Sequence, residues 1–162
     1  MTYNDLLRRL RYALNLNAVS IAHACSLAGL HIEPTDVLKL LKKEEDTGFV
    51  PCDDTVMGAF LDGLITHTRG AQDPRPVAVP PTATVLTNNL ILKKLRIALE
   101  LTDEAMLDIF NKAGVTLSKP ELSALFRAVD HRNYKECGDQ LLRNFVRGLT
   151  LDEKRIIRPV HG

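Results

Sequence analysis

Two cysteines stand two residues ahead of an aspartate in matching surroundings: Cys52 and Asp54 in PCDDTVMGAFLDGL, Cys137 and Asp139 in ECGDQLLRNFVRGL. A thiol beside a carboxylate is material for nucleophilic chemistry, which also needs a base to lower the thiol pKa and a group to orient that base. Five residues ahead of the second stretch His131 would be the base, so His131, Cys137 and Asp139 bring three triad residue types within nine positions. The first copy has Asp46 where His131 stands and keeps thiol and acid without the proton acceptor. That difference favours a structural origin. A carboxylate in the first turn of a helix accepts orphan backbone N–H groups and meets the helix dipole favourably, behind a small cysteine that buries easily. A thiol enzyme at Cys137 is the weakest of three functional readings.

The elements carrying these residues are themselves repeated. Shifted by 85 positions, residues 4–64 align with 89–149 without a gap, and fifteen of sixty-one positions are identical. About a quarter identity in one unbroken register marks an internal duplication. The identities include Asn4/Asn89, Arg11/Arg96, Leu14/Leu99, Gly29/Gly114, Phe60/Phe145, Gly63/Gly148 and Leu64/Leu149.

Within each copy the apolar residues recur at helical spacing. Leu7, Leu10 and Leu14 mark a first helix, and Ile21, Cys25 and Ala28 a second, which starts after Asn17 or Thr102 and stops at Gly29 or Gly114. A third begins at EPTD or SKPE, with Pro34 in the first turn and Ser118 and Glu121 at capping-box spacing. A polar loop with one aromatic anchor, Phe49 or Tyr134, leads to a fourth helix bearing Met57, Phe60 and Leu64 or Leu142, Phe145 and Leu149. No segment alternates like a strand. The fold expected is all-α: two tandem four-helix repeats packed about a pseudo-two-fold axis, residues 1–68 and 89–162 (the latter with a C-terminal tail), joined by a Pro-rich linker over 69–88.

Composition sets further bounds. With 45% hydrophobic but only 5% aromatic residues and no Trp, the core must be aliphatic. The 21 basic and 20 acidic side chains nearly cancel, which removes any global electrostatic argument for a nucleic-acid or membrane partner. Three cysteines without CxxC spacing, five histidines without ligand spacing and the lack of a Gly-rich phosphate loop imply no metal and no cofactor. The stretch MTYNDLLRRLRYAL has arginines where a secretory signal needs an apolar run, so a soluble, cytoplasmic protein with reduced thiols is expected.

The string DHRNYKECGDQLLRNFVRGL, preceded by NNLILKKLRIAL and matched by the weaker GFVPCDDTVMGAFLDGL, resembles the bacterial YehS-like family, a domain of unknown function present in two copies. The resemblance covers all but the linker and the tail. It implies a small helical bacterial protein with no assigned reaction, and supplies no catalytic residues.

Arg11 and Arg96 are identical in both copies and are expected to pair with Asp54 and Asp139, fixing register. Gly63 reads as a close helix contact, whereas GLTLDEKR reads as a stop at Gly148 with a new N-cap at Thr150. The copies differ most in charge: residues 1–70 hold seven basic and nine acidic side chains, residues 89–162 thirteen and ten. Arg143 and Arg147 lie on one helix face where the first copy has Gly58 and Asp62, and Arg127, Arg132 and Lys135 are near in sequence, with Lys154, Arg155 and Arg158 in the tail. These five, Arg127 to Arg147, form the candidate phosphate or partner face, with solvated surface as the plainer alternative. A helix-turn-helix over the second and third helices is disfavoured by the length of GLHIEPTD. The leading reading is a non-enzymatic adaptor or regulator that binds a protein partner; RNA or DNA binding by the second repeat comes next, and homo-oligomerisation stays open.

Overall fold

The computed structural model describes residues 1–69 and 85–152. Among the described residues the chain forms eight helices and no strand. The first copy holds α1 (Tyr3–Ala13), α2 (Ala18–Leu27), α3 (Pro34–Leu40) and α4 (Asp54–Arg69), and the second repeats them as α5 (Asn88–Ala98), α6 (Asp103–Lys112), α7 (Lys119–Leu125) and α8 (Asp139–Leu151). Of the expected linker, residues 70–84 lie outside the described residues. At its ends Arg69 closes α4, Leu86 is buried and Thr87 caps α5.

Local signals set most boundaries. The side chains of Thr2, Thr87, Asn17 and Thr102 each accept a hydrogen bond from the backbone N–H three residues on, and capping boxes start α3 at Glu33/Asp36 and α7 at Ser118/Glu121. α2 and α6 end in Schellman turns around Gly29 (φ 88°) and Gly114 (φ 83°). α1 and α5 end in the same turn without glycine: Asn15 and Glu100 take φ of 54° and 53°. A left-handed conformation is tolerable for Asn and strained for Glu.

The second and fourth helices of each copy cross at a glycine. A Cβ on Gly63 would overlap the Ala24 carbonyl of α2, and one on Gly148 the Ile109 carbonyl of α6. This corrects the stop expected at Gly148. α8 runs through to Leu151, and the Thr150 hydroxyl donates back to the Val146 carbonyl at 3.1 Å instead of opening a new helix. Close approach of the second helix, α2 or α6, selects the glycine in each copy.

The first helix of each copy packs chiefly on the fourth helix of the other, α1 on α8 and α5 on α4. This reciprocal exchange is what an approximate two-fold axis demands, and one continuous buried cluster runs through both copies. Phe60 and Phe145 are fully buried at its centre, each burial worth about 2 to 3 kcal/mol. Phe145 meets Phe110 with ring centroids 5.3 Å apart. The position aligned with Phe110 is Cys25, so that buried thiol is a packing residue.

Candidate functional site

The residue at the entrance of the fourth helix, Cys52 or Cys137, is held through its backbone by an asparagine 48 positions away. Asn4 is buried; its amide donates to the carbonyls of Leu40 and Val50, both at 2.9 Å, and its carbonyl oxygen accepts from the Cys52 N–H at 2.9 Å. Asn89 repeats this on Leu125 at 2.9 Å, Lys135 at 2.8 Å and Cys137 at 2.8 Å. One amide thus ties the first helix to the end of the third, to the polar loop and to the entrance of the fourth, satisfying three backbone groups. The cysteine is clamped by its backbone, and its thiol is buried. Burial, aided by neighbouring carboxylates, pushes Cys52 up to about 12 and Cys137 to about 11; burial also pushes Cys25 to about 11. An activated nucleophile is shifted the other way. His131 sits in an exposed turn where its Nδ1 accepts from the Asn133 N–H at 3.0 Å.

The two aspartates do not cap backbone as expected. The cap of α4 is Asp53, which accepts from the Val56 N–H at 2.9 Å, and α8 starts at Gly138 without a side-chain cap. Asp139 accepts instead from the Met1 amine at 2.8 Å and the Asn88 amide at 2.7 Å, and these hydrogen bonds hold its carboxyl below the usual range. Asp54 lies beside Tyr3, the counterpart of Asn88. The Tyr3 hydroxyl donates to the Leu86 carbonyl at 3.0 Å, and burial first, then Asp54, raises it to about 12.

The expected Arg11–Asp54 and Arg96–Asp139 pairs are likewise corrected. Arg96 donates through Nε to the Leu101 carbonyl at 3.1 Å, pairs with Asp103 at 2.6 Å and lies 5.0 Å over the Phe126 ring. Arg11 donates to the Leu16 carbonyl at 3.5 Å. Each arginine is in the last turn of its helix, where the nearest acceptor is the carbonyl of the following Schellman turn. Both close that turn rather than reach for the fourth helix.

The candidate basic residues have separate surroundings. Arg127 is half-buried and Arg132 exposed; Lys135 approaches Glu121 at 4.0 Å. Arg143 donates to Gln140 at 3.2 Å, and its Nε is buried without a hydrogen-bond partner. Lys154, Arg155 and Arg158 lie outside the described residues. Arg147 faces the other copy. It lines a groove of about 480 Å³ between α8 and α1, with Val146 and Leu151 on its own side. Across from it stand Asp5, Arg8, Arg9 and Tyr12.

The same seam exists between α4 and α5, with different chemistry. Aligned with Arg9 and Arg147 are Lys94 and Asp62. The Lys94 ammonium donates to the Asp62 carboxylate, with side-chain exposures of only 13% and 14%, and this pair closes the seam. Between α1 and α8 both positions are arginine, so no such pair can form. Asp5 takes up Arg9 at 2.8 Å and Arg8 at 3.6 Å from within α1, and Tyr12 and Leu151 remain 74% and 50% exposed.

Both halves match the model of a family described as protein of unknown function (DUF1456), over residues 3–70 and 88–155. The chain belongs to the DUF1456 family. It is 40% identical over 150 residues to the "Uncharacterized protein YehS" of Escherichia coli (strain K12), which covers 93% of this chain and 95% of that one. No solved structure matches. Among the described residues no helix is long and apolar enough to cross a membrane, and no three His, Cys, Asp or Glu side chains are grouped to hold a metal.

Arg8, Arg9 and Tyr12 of the first DUF1456 copy were not among the residues singled out by sequence. The signal that reaches them is a charge comparison between aligned positions: Lys94 and Asp62 have opposite charges, whereas Arg9 and Arg147 are alike. It becomes usable only once the first helix of one copy is known to pack on the fourth of the other.

Proposed function

We propose that this protein is a non-enzymatic helical adaptor or regulator of the bacterial cytoplasm that binds a protein partner, with the α1/α8 groove as the contact. The observation that carries this reading is the replacement of the Lys94–Asp62 pair by Arg9 and Arg147 at the equivalent seam. A scaffold that seals one copy of a contact and leaves the other open, cationic and partly apolar has a surface suited to a ligand.

Nucleic acid is the second reading, supported by the exposed Tyr12 among arginines, a combination on which single strands stack. Its footprint is short. Duplex binders held by charge make roughly 6 to 10 phosphate contacts, and here three arginines share a groove with Asp5. A protein partner therefore comes first. Crosslinking of the tagged chain in living bacteria, purified with and without nuclease beside the Arg9→Glu/Arg147→Glu variant, tests the order. A protein that survives nuclease and is lost in the variant supports the adaptor reading; co-purified nucleic acid with no retained protein supports the second.

Thiol chemistry ranks last because all three thiols are held protonated by burial. Labelling by a disulfide reagent at pH 8 should be at least about 100-fold slower in the native chain than in denaturant, as a shift of two pK units implies. Rapid labelling of native Cys137 would return it to consideration. The folded values lie above the ordinary 9.0, so the stability that protonated burial contributes is complete below pH 9 and is lost as pH rises through about 11 to 12.

A further inference from the structure

We infer that the α1/α8 groove takes an acidic peptide segment with an apolar anchor, a turn or two of amphipathic helix, and that Asp5 is its built-in competitor. This rests on the reading that the partner is a protein. Three features of the groove specify the occupant. Its walls bear arginines on both sides, Arg8 and Arg9 from α1 and Arg147 from α8, so the ligand must be anionic along both edges. Between them Tyr12 and Leu151 present exposed apolar surface, with the buried Val146 beneath. A bare polyanion leaves that surface wet; an amphipathic segment covers it, with leucine-like side chains inward and carboxylates on the arginine rims. The groove already contains a carboxylate in the role expected of the ligand. Asp5 holds Arg9 at 2.8 Å and Arg8 at 3.6 Å, whereas Arg147 enters no ion pair among the described residues. An incoming acid therefore meets Arg147 first and completes its contact by displacing Asp5, a substitution to which the planar guanidinium fork is well suited.

The competition gives substitutions opposite in sign. In fluorescence anisotropy with the full chain, the probe is a labelled amphipathic peptide with leucines at i, i+4 and i+7 and glutamates elsewhere. The controls exchange every Glu for Gln or every Leu for Ser, and a single-stranded oligothymidine carries similar charge. The acidic amphipathic peptide should bind at low salt and weaken as salt rises. Binding should fall about tenfold or more for the Gln peptide and for the Arg9→Glu/Arg147→Glu variant, and about threefold or more for the Ser peptide. Asp5→Asn should tighten binding by about threefold. Both arginines lie at the surface, and thermal melts run in the same buffer confirm that the variants are folded. No peptide binding at low salt, equal binding by the double variant, weaker binding by Asp5→Asn, or tighter binding of the oligothymidine than of the peptide would each overturn the proposal. The adaptor reading fails separately. If a crosslinked protein partner survives in the double variant, the groove assignment falls and the adaptor stands. Peptide binding without any cellular protein partner leaves the groove's chemistry in place and sinks the adaptor.

Discussion

The α4/α5 and α1/α8 seams are one helix contact made twice with opposite electrostatics. At the first, Lys94 and Asp62 neutralise each other in a largely buried position. At the second, Arg9 and Arg147 stand at the same two places and leave a groove in which Tyr12 and Leu151 are exposed. The duplication supplies its own control: the sealed copy shows what the contact needs when it serves only the fold. Arg147 is exposed and enters no ion pair among the described residues, so the fold should not depend on it.

Substitutions that touch what the two copies share should have the largest effects. Gly63→Ala should cost about 3 kcal/mol and Gly148→Ala somewhat less, since each Cβ would meet a rigid backbone carbonyl across a helix crossing and the overlap is deeper at Gly63. Denaturant titration of both variants checks the order, and a small effect at either site would break the symmetry claimed for the crossings. Next, Asn4→Ala and Asn89→Ala should each cost roughly 3 kcal/mol, because two carbonyls and one N–H lose their partner in each copy.

The divergent positions should behave unequally. Asp62→Ala, by stranding the Lys94 ammonium, should cost about 2 kcal/mol, whereas Arg147→Ala should change stability by less than about 0.5 kcal/mol. Equal losses in calorimetry would show that Arg147 is as structural as Asp62. The smallest contrast concerns the left-handed turns. Glu100→Gly should raise stability by about 1 kcal/mol and Asn15→Gly by half that or less, since Asn tolerates the conformation that strains Glu.

What the sequence made legible was what local chemistry decides. The duplication, the caps at Asn17 and Thr102, the Ser118/Glu121 box and the stops at Gly29 and Gly114 depend on residues within a turn of each other, and all stand in the structure. Features decided by distant neighbours are not legible locally. Gly148 followed by Thr150 and Asp152 has the pattern of a helix end, but the Ile109 carbonyl, on another helix, determines it. Asn4 and Asn89 were visible as identities, yet an Asn at a helix start reads as a surface residue until its acceptors 36 and 46 positions away are known. Arg11 and Arg96 stand out as shared charges, but their partners are the carbonyls of their own turns, which a pattern of charges does not reveal.

With one seam closed and the other open, only the open one should respond to an acidic segment. Amide chemical-shift mapping of the ¹⁵N-labelled chain during titration with the acidic amphipathic peptide tests it most directly. Shifts should saturate at Arg8, Arg9, Tyr12, Arg147 and Leu151, with Lys94 and Asp62 unmoved. Shifts at the α4/α5 seam as large as those at α1/α8, or none at Arg9 and Arg147, would contradict it.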